Sequence, residues 1–243
     1  MSSDDENEQT PFDPSILFNN IMKKENDIKV DGNKVYFYKS VSRESVLQLI
    51  TTLKNTAKKL TIISDQIGSK KPPIILFINS EGGDLFAGLS AMDHIKNMKY
   101  PVYTVIDGMV ASAGTFISLA GKKRFMMKSS WVLIHQVKSW MGGMFSHEEL
   151  KDSYENSDNF MKSLNKLYSE NTKITKKTLD KFFKHDLYIN YSDALKIGIV
   201  ESEYSDDLFD LDFESICTKN GTNSNNSNTG SNTDTKKRKR IIE

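Results

Sequence analysis

The run Ile74-Ile75-Leu76-Phe77-Ile78, followed by Asn79-Ser80-Glu81-Gly82-Gly83, decides the fold. An uninterrupted apolar run of this length suits a strand that is covered on both faces, as in a parallel sheet. The polar residues and the glycine pair after it predict that the strand ends there in a turn.

Strand and helix patterns alternate on both sides of this run. This repetition predicts a layered α/β domain with right-handed crossovers between parallel strands. Besides the run itself, we predict strands at 34–38, 102–106, 124–127 and 131–134, and helices at 43–60, 85–95, 111–119 and 146–170.

The composition changes at both ends of this domain, which we place at residues 29–204. Residues 1–28 are an acidic extension that we expect to be loosely ordered, although Ile16-Leu17-Phe18 could dock as a short helix. Residues 205–219 are an acidic C-terminal segment. Residues 220–243 are mostly Asn, Ser, Thr and Gly, a composition that buries too little apolar surface to offset the entropy lost on ordering.

The tail ends in the basic run Lys236-Lys237-Arg238-Lys239-Arg240. Such a run is typical of a nuclear-targeting or nucleic-acid-binding patch, and it is equally consistent with a solvated tail. With this run included, the whole chain has 33 basic and 32 acidic residues and a net charge of +1, which excludes an overall nucleic-acid or membrane-surface binder. No apolar run is long enough for a membrane span and the N-terminus does not resemble a secretory signal. We therefore expect a soluble, cytoplasmic protein.

Several cofactor and metal chemistries are excluded. A phosphate-binding loop would need a glycine where Phe116 stands, so we expect this chain not to hydrolyse ATP itself. Lys151 occupies the position of the second histidine in the zinc-protease pattern that His147-Glu148 begins. The single cysteine, Cys217, excludes an internal disulfide and a multi-cysteine zinc site.

Four features near the ends of predicted strands carry the remaining chemistry. They are Gly82-Gly83, Ser112 within the small-residue stretch 108–114, His135 and Asp186. Each has an ordinary structural explanation: a turn, a helix cap, a structural histidine and a surface carboxylate. Together they supply an oxyanion site, a nucleophile, a base and an orienting acid, which is the complete set for acyl transfer.

The segments around these residues resemble the proteolytic subunit of the Clp protease. The resemblance covers residues 31–204 and is carried by 78–83, Gly88, 108–114, 134–136 and 193–200. It implies a ClpP/crotonase-like layered α/β fold of repeated ββα units with a protruding handle helix. Gly142-Gly143 and the helix predicted after them are similar to this handle.

The resemblance also implies roles for individual residues. Ser112 corresponds to the nucleophile, His135 to the general base and Asp186 to the third member of the triad. The backbone N–H groups of Gly83 and Ala113 correspond to the oxyanion hole. The implied protein is a serine endopeptidase without a cofactor or metal of its own, and it acts on unfolded polypeptides.

The implied assembly is a homo-oligomer of stacked rings, which a separate AAA+ unfoldase feeds at the expense of ATP. Two positions and one segment depart from the family pattern. Glu81 and Val137 each stand where the family usually has a proline, and residues 1–28 do not match the axial loops. These departures leave a second hypothesis open, that of a catalytically silent ring or scaffold subunit. A crotonase-like acyl-CoA enzyme is a third, disfavoured by the complete triad.

Overall fold

The computed structural model describes residues 28–138 and 143–206. Three predicted segments lie wholly or partly outside these residues: the N-terminal extension up to residue 27, the acidic segment from residue 207, and the whole tail at 220–243. Within them, none of the helices combines the length and apolar character that a bilayer span requires.

An eight-stranded mixed sheet forms the centre of the described domain. Along one path the strands follow the order β1, β2, β3, β4, β5, β8, and β6 and β7 branch off the far half of β4. The pairs β1–β2 and β6–β7 are antiparallel, and all the others are parallel. The strands are β1 Lys29–Asp31, β2 Lys34–Tyr38, β3 Ile74–Ser80, β4 Val102–Ala111, β5 Lys123–Met126, β6 Trp131–Ile134, β7 Leu187–Asn190 and β8 Ser202–Glu203.

Helices connect these strands and cover the sheet. The main core lies between the sheet and the helices, where alternate residues of β3, Ile74, Leu76 and Ile78, are fully buried. The helices are α1 Arg43–Ile67, α2 Leu85–Lys96, α3 Gly114–Leu119, α4 His147–Asn171, α5 Lys176–Lys184 and α6 Tyr191–Lys196.

Helix α1 is longer than the sequence pattern predicted. It begins with a capping box between Ser42 and Ser45 and runs to Ile67, because Gly68 is the first residue able to end it in the left-handed conformation (φ 64°). The apolar stripe fades near Leu60, which is why the prediction ended there, but the residues between it and Gly68 include no helix breaker.

Strand β4 is also longer than predicted, and it displaces the start of the next helix. The prediction ended this strand at Ile106, whereas Met109–Ala111 continue it and pair with β6. The helix predicted from Ala111 begins only at Gly114. The residues between the strand and this helix form the turn that carries Ser112.

Candidate active site

Ser112 occupies a strained turn between β4 and α3. Its φ is 51°, the only positive value at a non-glycine residue in the described part of the chain. The N–H of Ser112 donates to the Leu133 carbonyl at 2.9 Å, which ties the turn to β6. A residue with a side chain costs about 1–3 kcal/mol in such a conformation, and strain of this kind is concentrated at functional sites. The turn places Ser112 outside both the strand and the helix.

The glycine pair after β3 lies directly against this turn. A Cβ atom on Gly82 would lie 2.7 Å from the Ser112 Cβ, and one on Gly83 would overlap the Val41 carbonyl oxygen. The Val41 N–H donates to the Gly82 carbonyl at 2.7 Å, and the Asp84 N–H donates to the Val41 carbonyl at 2.8 Å. These two bonds hold the loop in place, and only glycine fits at both positions.

Two backbone amides at this junction have no acceptor among the described residues. They belong to Gly83 and Ala113. The Ala113 nitrogen lies 3.2 Å from the point that a Gly82 Cβ would occupy, so the glycine loop reaches the start of α3. Bare amides beside a hydroxyl are the donors that an oxyanion needs.

His135 follows β6 and lines the same cavity as Ser112, Gly83 and Ala113. The cavity has a volume of about 520 Å³. The His135 Nδ1 atom lies 2.6 Å from the Gln136 carbonyl oxygen. Because a carbonyl can only accept, Nδ1 carries the proton there, and the neutral ring then has Nε2 free as a base. Within residues 28–138 and 143–206, no hydrogen bond joins this ring to Ser112 or to Asp186.

Asp186 lies on the exposed connection between α5 and β7, and its carboxylate is paired with a lysine. Lys138 Nζ lies 3.0 Å from Asp186 Oδ2. The hydrogen bond from Lys138 lowers the pKa of Asp186; desolvation opposes this effect, and the charges of Lys138 and His135 lower the pKa further by smaller amounts. The structure therefore places Asp186 within electrostatic influence of His135 but bonds it to Lys138. No pattern in the sequence pointed to this lysine.

Apolar side chains from three helices form the wall of the cavity. Phe86 comes from α2, Phe116 from α3, and Phe160, Leu164 and Tyr168 from α4. The residues of α4 are spaced four apart, so they share one helix face. That spacing is the sequence signal that could have assigned this face to the site.

A hydrogen-bond relay connects α4 to the nucleophile turn. The Thr115 hydroxyl donates to the Ser112 carbonyl at 2.6 Å, so its oxygen is left to accept from the Tyr168 hydroxyl, also at 2.6 Å. Burial raises the pKa of Tyr168, which keeps this hydroxyl protonated as a donor. The position of α4 is thereby coupled to the position of Ser112.

Glu81, which precedes the glycine pair, also lines the cavity. Its side chain is exposed and accepts a hydrogen bond from the Ser40 hydroxyl. The bond links the carboxylate to the connection between β2 and α1. Among the described residues, no three His, Cys, Asp or Glu side chains are grouped as metal ligands would be.

Comparison with known proteins places this architecture. The family model described as Clp protease matches residues 31–204. The chain belongs to the Clp protease family. It is 31% identical to the ATP-dependent Clp protease proteolytic subunit 2 of Treponema pallidum. The 177 aligned residues make up 70% of this chain and 87% of that protein. The corresponding subunit 2 of Treponema denticola is 29% identical over 188 residues, 75% of this chain and 92% of that protein.

A solved Clp structure has the same fold. A mutant of ClpP1 from Listeria monocytogenes is 26% identical and superposes with a TM-score of 0.57, over 79% of this chain and 99% of the other. The predicted ClpP-like layered α/β fold is confirmed. The basic run 236–240 lies outside the described residues, and these comparisons do not support nuclear targeting.

Proposed function

We propose that this Clp family member is a serine endopeptidase in which Ser112 is the nucleophile. His135 is the general base, Asp186 is the acid that orients it, and the N–H groups of Gly83 and Ala113 form the oxyanion hole. The observation that carries the proposal is the strained Ser112 turn. It lies in one cavity with His135 and beside two amides that have no acceptor among the described residues.

The proposed chemistry follows from these groups. Nε2 of His135 takes the proton of the Ser112 hydroxyl as Oγ attacks the peptide carbonyl carbon, and the two amides stabilise the negative oxygen. The C–N bond then breaks, and His135 gives its proton to the leaving amine. Water attacks the resulting acyl ester in the same way, and this step restores Ser112.

The proposal requires two local rearrangements in the active particle. The His135 ring turns its Nδ1–H from the Gln136 carbonyl to the Asp186 carboxylate, and Asp186 exchanges Lys138 for His135. Asp186 and Lys138 are exposed and His135 is half-buried, and exposed ion pairs contribute little to stability, so the exchange costs little free energy. In this proposal, contacts between subunits of the oligomer favour the exchanged arrangement.

The apolar wall formed by α2, α3 and α4 suits an apolar side chain next to the cleaved bond. The substrates that fit are unfolded polypeptides, and we extend the proposal to a stacked-ring homo-oligomer served by a separate AAA+ ATPase. The relatives named above are proteolytic subunits of an ATP-dependent protease.

Peptide hydrolysis by Ser112→Ala tests the proposal. The variant loses the nucleophile, so we expect hydrolysis of a fluorogenic peptide to fall to background. Ser90→Ala is the control, because Ser90 is an exposed serine on α2 outside the cavity, and it should hydrolyse the peptide at the wild-type rate. Hydrolysis by Ser112→Ala at the wild-type rate would refute the assignment.

A second candidate function is a catalytically silent ring subunit. The Lys138–Asp186 pair and the His135–Gln136 contact favour it, since both take triad members away from one another. A silent subunit leaves Ser112 unreactive in assembled particles, whereas a peptidase does not.

A further inference from the structure

A second large concavity lies away from the residues of the candidate active site. It is a groove of about 1260 Å³ between the C-terminal half of α1 and the end of α2. We call it the basic groove. Lys54, Ala57, Lys58 and Ile62 line it along α1, and Met98 and Lys99 line its other side.

The charge of the basic groove has one sign. Within the described residues, no aspartate or glutamate lines it. Lys54, Lys58 and Lys99 are exposed, and none has an ion-pair partner in that part of the chain. Lys71 is the exception, with Asp65 at 3.2 Å. Three unpaired cations on one groove favour an acidic occupant.

The groove is also apolar along its length. Ile62 is 57% exposed, a large fraction for an isoleucine on a helix whose other face is buried. Ala57, Met98 and Tyr100 pack against the main core and present their outer sides to the groove. An occupant that combines acidic residues with a short apolar segment would therefore match the surface.

The described chain begins beside this groove. Ile28 is 8% exposed and lines a smaller concavity of about 420 Å³ together with Leu47 of α1. Thr51 and Asn55 line both concavities, so the two are continuous along α1. The chain that precedes Ile28 thus reaches the domain at one end of the basic groove.

The residues before Ile28 have the composition that the groove requires. Four of the first eight residues are acidic and none is basic, and Ile16-Leu17-Phe18 is an apolar segment. From Phe18 to Ile28 the chain can span up to about 33 Å. The stretch of α1 from Thr51 to Ile62 is only about 16 Å long.

We propose that residues 4–18 dock in the basic groove of their own chain. Ile16-Leu17-Phe18 contacts the apolar floor around Ala57 and Ile62, and the acidic residues at 4–8 pair with Lys54, Lys58 and Lys99. This inference is independent of the proposed peptidase function, since no residue of the candidate active site lines the groove.

Photo-crosslinking of the full chain tests the docking. Benzoylphenylalanine replaces Phe18, and isotopically heavy and light chains are assembled together so that each particle contains both labels, then irradiated and mapped by mass spectrometry. We expect crosslinks from position 18 to residues 51–62 of the same isotope label. Lys54→Glu combined with Lys58→Glu should lower their yield about five-fold, the factor that corresponds to about 1 kcal/mol for two exposed charge pairs.

Lys176→Glu combined with Lys177→Glu is the matched control, because these exposed lysines of α5 lie outside the groove, and the yield should stay unchanged. Crosslinks only between heavy and light chains would show that a second copy supplies the occupant and would overturn the proposal. Crosslinks elsewhere, or none on α1, would overturn it as well. Charge reversal without an effect on the yield would remove the electrostatic part of the argument.

Discussion

At the scale of single residues, Gly83 has the most demanding position in the candidate site. Its φ is 143°, and any Cβ there would overlap the Val41 carbonyl oxygen. We expect Gly83→Ala to destabilise the protein by more than about 3 kcal/mol, since backbone strain and steric overlap add. Urea denaturation at fixed protein concentration measures the change.

The control for this prediction is Gly32→Ala. Gly32 also has a positive φ, 56°, but open space surrounds the position of its Cβ, so only the backbone strain of about 1–2 kcal/mol applies. Equal losses of stability in the two variants would show that the glycine loop is less tightly held than the Val41 bonds indicate.

Lys138 controls the ionisation of Asp186. The folded-state pKa of Asp186 lies below its ordinary value, so the pair stabilises the fold above about pH 4, and this contribution fades as the pH falls through the lowered pKa. We expect Lys138→Met to raise the pKa of Asp186 toward its ordinary value and Lys138→Arg to keep it low. Carboxyl ¹³C NMR titration measures this pKa, with Asp186→Asn identifying the resonance.

An unchanged pKa in Lys138→Met would mean that the ion pair is not populated in solution. The same variant informs the choice between active and silent subunits. If Lys138 competes with His135 for Asp186, its removal should also raise the rate of peptide hydrolysis.

The sequence was most informative about the site where local pattern determines geometry. Gly82-Gly83 and the small residues around Ser112 predicted tight turns, and the structure shows both, because their conformations depend on neighbouring residues. The partners of His135 and Asp186 could not be predicted in this way. They depend on how the segment after β6 contacts the connection between α5 and β7. Lys138 and Asp186, which form this contact, are 48 residues apart in the sequence.

At the scale of elements, the important connection is that of α4 to the Ser112 turn through Tyr168 and Thr115. Tyr168→Phe removes one buried hydrogen bond and should cost about 0.5–1.5 kcal/mol of stability. Tyr168→Ala also opens a cavity in the wall of the site and should cost about 3–5 kcal/mol. Thermal and urea denaturation measure both changes.

Tyr154 provides the control on the same helix, because its side chain is 75% exposed. Tyr154→Phe and Tyr154→Ala should leave the stability of the domain nearly unchanged. Comparable effects at positions 154 and 168 would contradict the specific role of the buried tyrosine.

Element boundaries were predicted less well than element types, for identifiable reasons. α1 extends past its apolar stripe because helix propensity and the Gly68 cap sustain it where burial does not. β4 passes through Gly108 because pairing with β6 holds its second half in the sheet. The first of these causes is local to the sequence, and the second requires the tertiary structure.

At the scale of the whole molecule, the described domain is a Clp family fold that carries the candidate active site in one cavity and the basic groove elsewhere. The glycine loop, the Ser112 turn and His135 come from three separate strand ends of one sheet, as expected for parallel strands whose carboxyl ends share an edge. Asp186 lies on a separate connection, where it pairs with Lys138, one of the residues that line the cavity.

The reactivity of Ser112 in assembled particles is the most direct test of the proposed peptidase. Oligomers isolated by size-exclusion chromatography are treated with a fluorophosphonate probe, and the adduct is located by peptide mass mapping. We predict an adduct on Ser112 in the wild-type protein, none in Ser112→Ala and little in His135→Ala. Folded, assembled wild-type particles in which Ser112 stays unlabelled would contradict the proposal that this serine is an activated nucleophile.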